Sequence, residues 1–98
     1  MAEVNLEKDK KLLVATLRKL KSSKDLSNLI DDLLTEEEIL DLAQRIKIAK
    51  LILDGKTYDE IAEKVKTSTS TVSKIGQIIK YGKRGFLASL LSTKTKKN

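Results

Sequence analysis

The chain has 98 residues, is 40% hydrophobic, and carries a formal charge of +6 with no cysteine, histidine, proline or tryptophan. That composition excludes disulfides, thiolate or imidazole metal sites and the usual general base at neutral pH. The lack of proline, with only four glycines, favours long helices over strands and predicts an all-α fold.

Asn5 to Leu20 reads as the first helix, with Leu6, Leu13, Leu17 and Leu20 in a stripe widened by Leu12 and Val14. A chain this short buries only about two-thirds of its unfolded surface, so the broad leucine face is expected to pack against a second copy, with Leu6 and Leu13 in the core. Ser22-Ser23 interrupts the pattern, and Ser23 is placed to cap a helix from Lys24 to Leu33 with Leu26, Leu29, Ile30 and Leu33 inward. Thr35 and Glu38 form a capping box that opens the longest helix, Glu36 to about Asp54. Its stripe is Ile39, Leu42, Ala43, Ile46, Ala49, Ile52 and Leu53, with Ile48 and Leu51 at the margins, which predicts a central helix. Glu36, Glu37 and Glu38 suit the dipole of its first turn, and with no convergent catalytic set anywhere in the chain no enzyme is expected. Gly55 is placed as the C-terminal cap.

Thr57 and Glu60 make a second capping box, followed by Ile61, Ala62 and Val65 on one face of a short helix. The hydroxyl run Thr67, Ser68, Thr69, Ser70 and Thr71 then competes with the backbone for hydrogen bonds, which suits a turn and a helix start. From about Ser70 the apolar rhythm resumes at Val72, Ile75 and Ile79, so residues 57–80 read as a helix-turn-helix. The opposite side of the second helix (Thr69, Ser70, Thr71, Ser73, Lys74, Gln77) carries no carboxylate. Residues 66–98 hold eight of the 20 lysines and arginines and none of the 14 aspartates and glutamates, so attraction to a polyanion arises in the half that carries this helix. YGKRG follows, with glycines offering two positions for unusual φ and with Lys83 and Arg84 able to touch phosphates. Phe86 to Leu91 is expected as a short apolar helix sealing the core or a subunit interface. The tail over about 93–98 is too polar to pack and is expected to be disordered. Six helices in one domain over residues 1–98 are expected. No stretch approaches about 18 apolar residues, and the charged start lacks a signal-peptide core, so a cytoplasmic location away from membranes is expected.

Together with LTEEEILDLAQRIKIAKLILDGK before it, the helix-turn-helix stretch resembles the tryptophan repressor superfamily over about Leu34 to Lys80. It is most similar in character to the repressor-related YerC/YecD-type branch, which also follows its second motif helix with a Tyr-Gly pair like Tyr81-Gly82. The resemblance implies an intertwined dimer, and the helix-turn-helix geometry is one described for the tryptophan repressor itself. It also implies that Thr69, Ser70, Thr71 and Ser73 face DNA and that Lys80 meets a phosphate. Arg45 matches an arginine that holds an amino-acid corepressor, and Thr35 a pocket threonine. Lys74 replaces the second pocket arginine without its planar stacking surface, Ile75 replaces a glycine and Ile78 a serine. The site is therefore expected as filled core, with the dimer corepressor-independent or altered in effector. Asp59 stands at a basic family position, and Lys66 where such motifs favour a glycine of positive φ.

The expected function is a two-fold dimeric regulator of transcription, a repressor, that reads double-stranded DNA in the major groove. Thr69, Ser70, Thr71, Ser73 and Gln77 are the candidate readers, Lys74, Lys80 and Lys83 are the phosphate anchors, and Ser68 completes the candidate DNA-binding set. Thr35, Arg45 and Lys74 are the candidate effector contacts; no cofactor or metal is expected. The rival reading is a non-enzymatic helical dimer that binds a partner protein or a nucleic acid through its basic C-terminal half.

Overall fold

The computed structural model describes residues 4–91; the predicted tail over about 93–98 lies outside the described residues. Every regular element among them is helical: α1 (Leu6–Arg18), α2 (Ser23–Leu33), α3 (Glu36–Leu53), α4 (Tyr58–Val65), α5 (Thr69–Tyr81) and a single turn of π-helix, Leu87–Leu91. The all-α expectation and the six helices are met.

Local chemistry explains where each helix starts. Asn5, in extended conformation, accepts the Lys8 amide at 3.0 Å and opens α1. For α2 the cap is Ser22, one residue earlier than expected: its Oγ accepts the Asp25 amide at 3.0 Å, and Ser23 becomes the first helical residue. Either serine could supply the oxygen, and the Asp25 carboxylate falls in the first turn with either one, where the helix dipole favours it. At α3 the box is reciprocal, with the Thr35 amide donating to Glu38 Oε1 at 2.9 Å and the Glu38 amide to Thr35 Oγ1 at 3.1 Å. Gly55, at φ 89°, closes α3: its amide donates to the Ile52 carbonyl at 3.0 Å and the Lys56 amide to that of Leu51 at 3.1 Å. That pair of bonds is the Schellman arrangement, which needs a residue at ease in the left-handed region.

Contacts divide the chain into Met1–Ile39 and Leu40–Asn98, the boundary falling inside α3. In the first unit no residue of α1 or α2 is buried. Leu6 is 77% and Leu13 45% exposed, so neither is enclosed within its own chain. In the second unit α4 and α5 pack extensively against each other.

The second unit has a compact apolar centre. Ile48 and Ala49 of α3, Ile61 and Ala62 of α4, and Val72 and Ile75 of α5 are buried together, with Leu51, Ile52, Val65, Ile79, Phe86 and Leu90 packed around them. Ile48, expected at the margin of the α3 stripe, is fully enclosed, while Leu42 and Ile46 are exposed. The stripe of α3 is thus wider than the α4–α5 pair can cover, and the pair selects the Ile48 side. Full burial of one isoleucine contributes about 1.5–3 kcal/mol. Phe86 and Leu90 lie against this centre, as expected of a segment that seals it.

The YGKRG loop departs from expectation. Gly82 has φ −86°, and the positive φ falls on Arg84, at 69°. Gly82 is needed for proximity instead: a Cβ there would stand 2.5 Å from the Ile78 carbonyl oxygen.

Candidate nucleic-acid interface

Helix α4 begins with the predicted box, the Thr57 amide donating to Glu60 Oε1 at 2.9 Å and the Glu60 amide to Thr57 Oγ1 at 3.1 Å. The Thr57 backbone bond holds the Glu60 carboxyl below its ordinary pKa, helped by the Thr57 side chain and the nearby Lys56 charge. Lys66 ends the helix in the left-handed region, φ 63° and ψ 55°, as its place in the motif implies; a side chain there costs about 1 kcal/mol. The Thr67 amide then donates back to the Ala62 carbonyl at 2.9 Å, which completes the turn. Ser68 returns to extended conformation and caps α5, which starts at Thr69, one residue before the sequence expectation.

Gly76 lies where α5 meets the Tyr58 side chain of α4. It is buried, and a Cβ at that position would overlap the Tyr58 hydroxyl. Tyr58, the first residue of α4, therefore lies across the only residue type on α5 that leaves room for it.

At about 100° per residue, α5 has two opposed stripes. Val72, Ile75, Gly76 and Ile79 face inward, all buried or half-buried. Ser70, Lys74, Gln77 and Tyr81 lie on the far side, all exposed. Thr69, Ser73 and Lys80 run along one flank and Thr71 and Ile78 along the other. Of the predicted readers, Thr69, Ser70 and Gln77 are exposed, as is Ser68, whereas Thr71 and Ser73 are half-buried. The Ser68 hydroxyl is occupied within the protein: it accepts the Thr71 amide at 3.2 Å and stands 3.1 Å from Thr71 Oγ1 and 3.3 Å from Ser70 Oγ. The amides of Thr69 and Ser70 belong to the first turn and have no intrahelical acceptor, so they are oriented toward whatever meets the head of the helix. Lys74, Lys80 and Lys83 are exposed, and no acid lies in the first turn. Tyr81 was not among the predicted contacts; its spacing of four from Gln77 and seven from Lys74 is the signal that places it on the same stripe.

A cleft of about 680 Å³ opens beside Thr71, lined by Arg45, Lys74, Ile75, Ile78 and the carboxylate of Asp41. Arg45 and Lys74, two of the three candidate effector contacts, thus share one cavity. Ile75 is buried, as a filled site requires, but Ile78 is 49% exposed and the space beside it is open. Thr35 caps α3. Among the described residues no group of three or more acidic, histidine or cysteine side chains is arranged to hold a metal. None of the described helices is long and apolar enough to cross a membrane.

The profile of the Trp repressor protein family matches residues 8–94. The chain belongs to the Trp repressor family. It is 32% identical over 78 residues to YerC of Bacillus subtilis (strain 168), itself uncharacterized, covering 80% of this chain and 75% of that protein. The crystal structure of a Staphylococcus aureus protein, proposed to be a Trp repressor, superposes with a TM-score of 0.80 at 27% identity, over 94% of this chain and 96% of that one. The expected Trp repressor membership and its YerC-type character are thereby met.

Proposed function

We propose that this Trp repressor family member is a non-enzymatic, DNA-binding regulator of transcription, a repressor, that acts in the cytoplasm as a homodimer forming a single domain. The observation that carries the reading is the outward stripe of α5. It is exposed, has no carboxylate, presents Ser70, Lys74 and Gln77 in line, and begins at two unpaired amides beside Thr69. A surface of that kind meets phosphate without repulsion and carries groups able to hydrogen-bond base edges. Lys80 and Lys83 extend its positive charge. The exposed leucines of α1 support subunit pairing, which in a two-fold helix-turn-helix dimer puts half-sites about 34–36 Å apart or a multiple of that.

No corepressor is required on this reading. The cleft beside Thr71 is lined by two isoleucines and has a lysine in place of a flat guanidinium, which suits an altered effector or none. Selection of bound duplexes from a random DNA pool, with and without free amino acids, tests both parts. The expected result is a two-fold symmetric sequence recovered equally in both arms. Recovery of unselected DNA would reduce the protein to a charge-driven binder, and no retention at low salt would favour a protein partner for the basic half.

A further inference from the structure

We infer that the far end of α5 is a second phosphate-binding corner, where Tyr81, with Lys83 and Arg84, holds a stretch of DNA backbone beyond the reach of the helix head. The inference rests on the DNA-binding reading above. Tyr81 is 78% exposed, more than any other large apolar or aromatic side chain described in the second unit. It lies eleven positions after Ser70, three turns plus about 20°, and hence on the same outward stripe about 16 Å along the axis. The major groove is about 12 Å wide, so a helix whose head lies among base edges has its eleventh following residue at the groove's rim, beside sugar and phosphate. A phenol fits that place: its ring covers the sugar and its O–H donates to a phosphate oxygen.

The surroundings favour an anion. Lys80, Lys83 and Arg84 are exposed within three positions of Tyr81, and no aspartate or glutamate follows Glu63 in the sequence to compete with phosphate. Arg84 also occupies φ 69°, which side-chain-bearing residues rarely adopt, while its carbonyl accepts the Ala88 amide at 2.9 Å and starts the terminal turn. Glycine would serve that backbone better. An arginine there is accounted for by what its side chain contacts, which in this corner is phosphate.

The test uses the full chain and a duplex recovered by the selection above, with affinity measured against salt concentration for wild type, Tyr81→Phe, Tyr81→Ala and Arg84→Gly. Tyr81→Phe should weaken binding about three- to tenfold, the effect of one hydrogen bond, with the salt slope unchanged because no charge is lost. Arg84→Gly should weaken binding, lower the slope by about 0.9, and leave the melting temperature unchanged or raised. Tyrosine variants within twofold of wild type, or an Arg84→Gly slope equal to wild type, would overturn the corner. So would a loss in Tyr81→Phe that sedimentation traces to altered subunit association. A wild-type chain that selects no duplex removes the DNA-binding reading and this inference with it; a wild type that binds alongside indistinguishable variants removes this inference alone.

Discussion

A methyl group added at residue 76 would land on the Tyr58 hydroxyl. In an open helix, alanine is worth about 1 kcal/mol over glycine, so the sign of Gly76→Ala reports whether Tyr58 decides. Displacing a packed ring costs about 1–3 kcal/mol, and we expect net destabilisation in urea titrations, reversing to stabilisation when Tyr58 is first shortened to alanine. A stabilising Gly76→Ala in the intact chain would contradict the packing described. Glu60 gives a second test. Its folded pKa is lowered, so its contribution is present above the ordinary carboxylate range and is lost as pH falls through that range. The stability advantage of wild type over Glu60→Gln should therefore be constant near neutrality and shrink below about pH 4, as followed by thermal melts across pH. The two residues differ in how visible they are beforehand. Thr57 and Glu60 stand three apart, and any helix start brings them together. Gly76 and Tyr58 are eighteen positions apart, and only the crossing of two helices makes the glycine necessary.

Among elements, α5 concentrates the functional argument, and its hydroxyls divide the work. Ser68 is committed to capping, so Ser68→Ala should lower stability by about 1 kcal/mol. Ser70→Ala should leave stability nearly unchanged and alter the DNA sequence selected, because Ser70 is exposed at the head of the outward stripe. Lys80→Ala should weaken binding to all duplexes alike and reduce the salt slope by about 0.9. If Ser70→Ala and Lys80→Ala both bind as wild type in mobility assays across salt, the stripe is not the binding face. Much of this element could be read in advance: the acid-free side and the resumption of apolar spacing follow from short-range rules, and the left-handed Lys66 from its place in the motif. The half-burial of Thr71 and Ser73 could not, because it depends on what packs against the flanks of α5. The loop after α5 misled for a related reason. Glycine was expected to take positive φ there, but a carbonyl 2.5 Å from a Cβ demands glycine just as firmly.

At the scale of the whole molecule, composition was enough for the fold class, since a chain without proline and rich in leucine, isoleucine and lysine has few alternatives to helices. The apolar face of α1 was equally plain, but a stripe states only that something covers it, and in this chain Leu6, Leu12 and Leu13 are exposed. On the dimer reading, these leucines make stability depend on protein concentration. The melting temperature should rise on going from micromolar to hundreds of micromolar chain, and Leu13→Glu should abolish that rise and lower the sedimentation coefficient to that of a monomer. A surface substitution in a true monomer would change stability by about 0.5 kcal/mol at most, so a concentration-independent melt with a benign Leu13→Glu would remove the dimer.

The placement of the two tyrosines also has a practical use. With no tryptophan in the chain, ultraviolet emission comes from Tyr58 and Tyr81 alone, one wedged at the crossing of α4 and α5 and the other standing in solvent at the end of α5. Replacing either with phenylalanine leaves a one-fluorophore protein. The Tyr58 version reports on loosening of the helix pair, and the Tyr81 version on anything that approaches the outer stripe, without a dye attached to either.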